Sequence, residues 1–183
     1  MLAAQPIMYL GSAYMHEDPE VRDQRAFIVT LAAGGLISQG VAAFSPIAHS
    51  HPVAKTSKLE GGFETWRNFD LTMIRWMDMF GVLIMDGIED SRGLAEELRF
   101  ANRLEKPVWG CAITSVYGVD ANQQIRASVV RFPIPAEVSS SISLIRAHVE
   151  SKVPHIQTDP GEVSRTYAEL TARYTPLPYA DGR

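Results

Sequence analysis

Short apolar runs and longer amphipathic stretches alternate along this chain. Apolar runs about as long as one buried strand lie at residues 7–10, 41–44, 80–85, 108–113 and 129–132. Between most of them, Leu, Ile, Phe and Met recur at the 3.6-residue period of a helix. Strands that alternate with helices are typical of βαβ units, which pair their strands in parallel and cover both faces of the sheet.

This alternation predicts an α/β protein. We expect a flavodoxin-like or Rossmann-like three-layer sandwich with a five-stranded parallel sheet, followed by a C-terminal helical extension. The predicted boundaries are an α/β domain over residues 1–153, and a helix and tail over residues 154–183 that pack on that domain or on a neighbouring subunit. Asp18-Pro19 and Asp159-Pro160 each place a capping acid before a proline, which marks the start of a helix.

Four further boundaries follow from local signals. We predict a helix from Phe63 to about residue 79, and another that Pro135 opens and that runs through Val149. Residues 45–62 are expected to form a loop, of which the polar part from Lys55 onward is a flap over the site. Residues 114–124 are expected to form a second loop at the sheet edge where α/β folds bind ligands.

The segment from Phe80 to Phe100 combines a strand, an acidic turn and a helix. Asp86-Gly87 is a turn pair, and Asp90-Ser91 supplies helix-capping side chains. On the helix that follows, the apolar residues at 94, 98 and 101 define the inward face.

Two adjacent glutamates on this helix have different predicted environments. Glu97 lies on the flank of the inward face, whereas Glu96 points the other way, toward Arg99 and Arg103. A half-buried Glu97 at the C-terminal edge of a parallel sheet is a candidate functional carboxylate. The alternative is a structural role, in which Glu97 caps a turn or pairs with an arginine.

Composition limits the classes of function. The 183 residues are 46% apolar and 21% charged with a formal net charge of −4, which suits a globular protein and disfavours a nucleic-acid polymer as a partner. A single cysteine, Cys111, excludes a disulfide framework and fits a reducing cytoplasm. We find no signal peptide and no apolar stretch of the roughly 20 residues that span a membrane, so we expect a cytoplasmic protein without membrane contact.

Small and polar residues follow the ends of the first two predicted strands. Gly11, Ser12 and Tyr14 follow the first, where small residues let a ligand approach the backbone or merely shape a turn. His49 and His51 follow the second, but no further ligand lies at zinc spacing. We therefore expect a hydrogen-bonding pair rather than a metal site.

The chain carries YLGSAY near its start, SPIAHSHP after the second strand, Asp70 one helix before the third strand and SRGLAEELRFA after it. Together these motifs, which span roughly residues 7–113, resemble the nucleoside 2-deoxyribosyltransferase superfamily. The resemblance is greatest to its uncharacterised bacterial and phage branch, near the 2′-deoxynucleoside 5′-monophosphate N-hydrolases.

This resemblance implies three catalytic residues. Glu97, four residues after Gly93, matches the nucleophilic glutamate of the superfamily, which attacks or stabilises C1′ of the sugar. Asp70 matches the acid that faces the departing base. Tyr9 or Tyr14 is expected to orient Glu97, and Tyr9 is the better match.

The resemblance also implies how the substrate is held. Transferases that act on free nucleosides typically have an acid at the position of Ser91, whereas the monophosphate hydrolases have a serine that contacts phosphate. Ser91 at a helix N-terminus therefore favours a 5′-monophosphate, with Arg22 or Arg25 as possible further ligands. The predicted substrate-binding residues are Gly11, Ser12, Tyr14, His49, Asp86, Ser91 and Gly93.

The leading hypothesis is an N-glycosidase that cleaves the base–sugar bond of a (deoxy)nucleoside 5′-monophosphate without metal or cofactor. Transfer of deoxyribose between bases is a close variant, and relatives suggest a homo-oligomer. The alternatives are a non-catalytic nucleotide-binding module and an NAD glycohydrolase. A serine hydrolase is disfavoured, because no G-x-S-x-G motif follows a predicted strand.

Overall fold

A five-stranded sheet forms the centre of the protein in the computed structural model, which describes residues 5–59, 63–119 and 124–173. Its spatial order is β2-β1-β3-β4-β5. The strands are β1 (Ile7–Gly11), β2 (Ala42–Phe44), β3 (Met79–Leu83), β4 (Val108–Val119) and β5 (Gln124–Pro133). The predicted α/β class and the five-stranded sheet are confirmed.

The sheet is mixed, so the prediction of a purely parallel sheet is wrong. Strands β1 to β4 pair in parallel, whereas β5 runs antiparallel to β4, with Trp109 opposite Pro133. Only residues 120–123 separate the two strands, and a parallel crossover needs about a dozen. The loop predicted over 114–124 is therefore also wrong at residues 114–119, which continue β4. Residues 120–123 lie outside the described part of the chain.

The described residues form six helices around this sheet. They are α1 (Pro19–Ser38), α2 (Pro46–Ser57), α3 (Phe63–Trp76), α4 (Arg92–Arg103), α5 (Ile142–Glu150) and α6 (Pro160–Arg173). Asp18 caps α1, as predicted, by accepting a hydrogen bond from the Glu20 backbone N–H at 2.8 Å. None of these helices is both long and apolar enough to cross a bilayer.

Glycines show which helix covers each face of the sheet. Gly35 of α1 packs against Ala127 and Val129 of β5, whereas Gly110 of β4 packs against Ile145 and Val149 of α5. Gly110 pairs with Phe132, so both face the same side of the sheet. Phe132 and Val129 are three residues apart on β5 and face opposite sides, because side chains alternate along a strand. Helices α1 and α5 therefore cover opposite faces. Gly11 and Gly110 both pair with Val82 and so face the same side of the sheet, and because Gly11 faces Leu94, α4 shares the α5 face. Helix α6 packs on α1, with Val163 fully buried. This arrangement has the three layers that were predicted.

Two helices differ from the prediction. Residues 46–57 are helical rather than a loop, because Ser45 caps α2 and accepts from the Ala48 N–H at 3.2 Å. The predicted flap is therefore helical at 55–57, and its residues 60–62 lie outside the description. Helix α5 begins at Ile142 rather than at Pro135, because Ser141 caps it. Serines favour caps over helix interiors.

Gly35→Ala tests the contact between α1 and β5. A Cβ at this position would lie 2.6 Å from the carbonyl oxygen of Ala127 and 2.8 Å from Cγ2 of Val129. Because the nearer atom is backbone, α1 has to move away from the sheet. We expect the unfolding free energy in urea to fall by about 1–3 kcal/mol.

Gly34→Ala is the matched control. A Cβ on Gly34 would have no neighbour within 4 Å beyond its own stretch of helix, so alanine is expected to raise the unfolding free energy by about 0.5–1 kcal/mol through helix propensity. Equal effects of the two substitutions would contradict the packing of α1 on β5.

Candidate active site

Glu97 is a buried carboxylate on the inward face of α4. Ser91 caps this helix by accepting from the Leu94 backbone N–H at 3.3 Å, which fixes where its turns begin. Glu97 is then only 6% exposed, whereas Glu96 turns outward and accepts from Nε of Arg67 at 2.6 Å. The helix therefore separates the two neighbouring glutamates as their spacing predicted, but the partner of Glu96 is Arg67 of α3 rather than Arg99 or Arg103.

Tyr9 holds the Glu97 carboxylate. Its hydroxyl donates to Oε1 of Glu97 at 3.0 Å, and its ring is fully buried and stacks on Phe80 with 5.4 Å between ring centroids. The pKa of Tyr9 is well above its usual value, first because of burial and then because of the nearby Glu97 charge. The phenol therefore stays protonated, and its hydrogen is the one shared in the bond to Glu97.

Gly11 allows α4 to approach the end of β1. A Cβ at this position would lie 2.8 Å from Cδ1 of Leu94 and 3.2 Å from Oε2 of Glu97. A larger residue would therefore push the helix, and with it Glu97, away from the strand. Gly11 contributes space to the site rather than a polar group.

Asp70 of α3 is a second buried carboxyl group in the same pocket. It is 6% exposed, and its Oδ1 is buried without a hydrogen-bond partner among the described residues. Burial raises the pKa of Asp70 to about 7. The pKa of Glu97 is also well above its usual value, mainly because of burial and secondly because of the Asp70 charge. Two such groups favour a state with one proton between them near neutral pH.

A pocket of about 470 Å³ lies over these two carboxyl groups. Both of them line it, together with Ser12, Tyr14, Arg25, Trp66, Ser91 and Gly93. This volume is typical of small-molecule sites. Within the described residues, the His, Cys, Asp and Glu side chains form no group of three or more that could hold a metal ion.

Donors gather where α4 begins. Arg92 and Gly93 occupy its first turn beside Ser91, and all three line the pocket. Arg25 reaches the same pocket from α1. Its Nη1 donates to the Met15 carbonyl oxygen at 2.6 Å, but its Nε is buried and lacks a hydrogen-bond partner in the described part of the chain. Helix N-termini and guanidinium groups are suited to binding anions.

Two residues predicted to bind substrate have other contacts. Asp86 pairs with Nη2 of Arg146 at 3.2 Å, and it is not among the residues that line the pocket. His49 stacks on Phe69 with 5.3 Å between ring centroids, and it is also absent from the lining. Of the other five predicted substrate-binding residues, Ser12, Tyr14, Ser91 and Gly93 line the pocket. Gly11 is not among the lining residues, but it faces Leu94 and Glu97, which are.

The sequence interpretation missed several lining residues, among them Ser50, Trp66 and Asp90. Ser50 and Trp66 face the pocket from α2 and α3, and Asp90 faces it just before α4. The signal for Ser50 was present, because Ile47, Ser50 and Ala54 are buried at helical spacing. The prediction of a loop over residues 45–62 does not use this spacing.

Comparisons with known proteins give a family match and a distant structural similarity. A family model described as a domain of unknown function (DUF1937) matches residues 5–112, more than half of the chain. None of the curated proteins matches this chain. A solved structure of 2-deoxyribosyltransferase from the psychrotolerant bacterium Bacillus psychrosaccharolyticus is 31% identical, with 56% of this chain and 69% of that chain covered. The TM-score of 0.37 is too low for the two sites to be compared by superposition.

Asp70→Asn tests the cost of burying this carboxyl group. The pKa of Asp70 is about 7 in the folded protein against an ordinary value of 3.8, so the folded state holds its proton to higher pH than the unfolded state does. The ionisation of Asp70 therefore lowers the stability of the parent as the pH rises from about 4 to about 7. The asparagine variant lacks this loss and keeps only the one that comes from the buried Glu97. We expect its advantage in unfolding free energy to reach about 2 kcal/mol at pH 8, after allowance for screening by solvent.

Urea unfolding between about pH 5 and pH 8 measures this difference. Glu64→Gln removes a carboxylate from an exposed position of the same helix and is the control. If Asp70→Asn and the parent had parallel stability curves over this range, the buried environment assigned to Asp70 would be wrong.

Proposed function

We propose that this chain, which belongs to the family described as a domain of unknown function (DUF1937), cleaves the base–sugar bond of a (deoxy)nucleoside 5′-monophosphate with Glu97 as the nucleophile. The observation that supports this most is the buried Glu97 carboxylate beside a pocket, held by the Tyr9 hydroxyl at 3.0 Å. The motif resemblance described above points to the same glutamate.

The proposed chemistry explains why a carboxylate is buried here. An N-glycosidic bond breaks through a centre at C1′ that resembles an oxocarbenium ion. Tyr9 donates to Oε1, so Oε2 of Glu97 is the oxygen proposed to attack C1′ as the electron pair of the C1′–N bond leaves with the base. Water then attacks the glycosyl–Glu97 ester at C1′, which releases the sugar phosphate and restores the carboxylate.

Asp70 is the proposed acid. A departing base needs a proton or a hydrogen bond on the nitrogen that accumulates charge. A carboxyl group with a pKa of about 7 still holds its proton in a large share of molecules at neutral pH. Its Oδ1, which lacks a partner within the described chain, is suited to meet the base.

The donors at the start of α4 support a 5′-monophosphate. Ser91, Arg92, Gly93 and Arg25 all line the pocket, and together they offer backbone N–H groups, a hydroxyl and two guanidinium groups. A phosphate would gain charge-assisted hydrogen bonds from them. The buried Nε of Arg25 would gain the partner that it lacks in the described residues.

One observation favours a free nucleoside and therefore the transferase alternative. The carboxylate of Asp90 lines the same pocket next to Ser91, where it would repel a phosphate and could accept from a 5′-hydroxyl. Water or a second base would intercept the same glycosyl intermediate, so one assay with and without a free base distinguishes hydrolysis from transfer.

Glu97→Gln is the direct test of the nucleophile. We expect base release from deoxynucleoside monophosphates or nucleosides to fall at least about 1000-fold, because the amide cannot form the ester. Chromatography of the products, with and without a second base, measures the rate. Glu96→Gln, which changes the adjacent and outward-facing glutamate, is expected to stay within about threefold of the parent.

Two results would contradict the assignment. Parent-like base release by Glu97→Gln would rule out the nucleophile. Nucleotide binding by a parent protein that releases no base from any substrate would instead identify a non-catalytic binding module.

Arg92→Ala tests the phosphate end of the pocket. We expect kcat/KM for a deoxynucleoside 5′-monophosphate to fall about tenfold or more, with little change for the matching nucleoside, because only the phosphate uses the guanidinium charge. Arg99→Ala removes an exposed arginine further along the same helix and is the control. An equal loss on both substrates would argue against a phosphate contact at Arg92.

A further inference from the structure

A chain of polar contacts leads from the pocket to the outer surface of α1 and α2. Tyr14 lines the pocket, and its hydroxyl lies 3.0 Å from Nδ1 of His51. Nε2 of His51 lies 3.4 Å from Oδ1 of Asp23, whose Oδ2 accepts from Nζ of Lys55 at 2.7 Å. The second histidine of the His-Ser-His motif is therefore connected to the pocket through a tyrosine.

The chemistry of these groups determines which atom carries the hydrogen at each contact. The Asp23 carboxylate is an acceptor, so Nε2 of His51 carries the hydrogen that faces it. The pKa of His51 is below its usual value, mainly because of burial, so the ring is neutral at pH 7 and Nδ1 is an acceptor. The pKa of Tyr14 is raised, mainly by burial, so its phenol is protonated and donates to Nδ1.

We propose that Asp23 and His51 orient the Tyr14 hydroxyl so that its oxygen is a hydrogen-bond acceptor in the pocket, selecting ligands that present a neutral donor there. With its one hydrogen committed to His51, the phenol can only accept from a ligand. The neutral donors of a nucleotide are the hydroxyl groups of its sugar and the N–H groups of its base, such as the exocyclic amine of cytosine. The identity of the ligand rests on the function proposed above, but the orientation of Tyr14 does not.

Tyr14, His51 and Asp23 form a relay, and this relay has a second state at acidic pH. Protonated His51 donates from both ring nitrogens, so the Tyr14 hydroxyl would turn its hydrogen into the pocket and become a donor. Asp23 and Arg22 on α1, Lys55 on α2 and Tyr14 itself act electrostatically on this ring; among the charges, Asp23 favours its protonation and Arg22 and Lys55 oppose it. His51 also lines a surface depression of about 200 Å³, which gives the ring access to solvent.

Ligand pairs test the acceptor role of Tyr14. In Glu97→Gln protein, where nucleotides stay intact, calorimetry compares deoxycytidine monophosphate with a 2′,3′-dideoxy analogue that lacks the 3′-hydroxyl and with deoxyuridine monophosphate, which lacks the amine. We expect the additional change Tyr14→Phe to weaken binding of the first ligand about 3- to 10-fold. The loss should disappear for the dideoxy analogue if a sugar hydroxyl is the donor, or for the uridine nucleotide if the amine is. An equal loss for all three, or no loss, would overturn the proposal.

Imidazole NMR tests the relay without any ligand. In the parent protein at pH 7 we expect the nitrogen shifts of His51 to report a hydrogen on Nε2, and Asp23→Asn to reduce that preference. A neutral ring with its hydrogen on Nδ1 would overturn the relay. This outcome is independent of base release: the relay can fail while Glu97 is still required for cleavage, and it can stand if the parent releases no base.

Two substitutions of His51 separate orientation from packing. In His51→Gln, an amide oxygen can accept from Tyr14 while the amide nitrogen donates to Asp23, so the preference for donor-bearing ligands should survive and no longer change at acidic pH. His51→Phe fills the space without hydrogen bonds, and we expect it to lose the preference at every pH. Identical ligand selectivity in both variants would show that His51 only packs against Tyr14.

Discussion

The site depends on the burial of two like-charged groups in one pocket. A carboxylate removed from water costs several kcal/mol unless it is paired or hydrogen-bonded, and Glu97 and Asp70 also repel each other when both are ionised. The packing of α3 against α4 holds them together all the same. Arg67 and Glu96 join the same two helices with an ion pair at the surface, which adds little to the packing that holds the two acids together.

Strand β1 supplies both the support and the space that Glu97 needs. Tyr9 and Gly11 are two residues apart, so they face the same side of the sheet, toward α4. The tyrosine donates a hydrogen bond to Glu97, and the glycine lets the helix approach. Large and small residues on one face of one strand thus set the position of a carboxylate that is 88 residues away in sequence.

Local patterns were sufficient for some of these features and not for others. The burial of Glu97 follows from its place among Leu94, Leu98 and Ala101 on a single helix, and the cap at Asp18 from one dipeptide. The antiparallel direction of β5 follows from the short connection between β4 and β5. The prediction of a loop after Ile113 makes this connection longer than it is, because β4 continues to Val119. The pairing of Asp86 with Arg146 joins residues 60 apart in sequence, and no local pattern predicts it.

The environment of the site favours the neutral form of its acids and of His51, while its arginines stay charged. Burial raises the pKa of Asp70 and Glu97 and lowers that of His51, so in each case the environment favours the neutral form. Burial also lowers the pKa of Arg25, but an arginine stays charged near neutral pH. Because the carboxyl pair can hold one proton while the guanidinium groups stay cationic, an anionic ligand that approaches Arg25 and Arg92 meets less opposing charge than two ionised acids would present. The same shared proton is then available to a departing base.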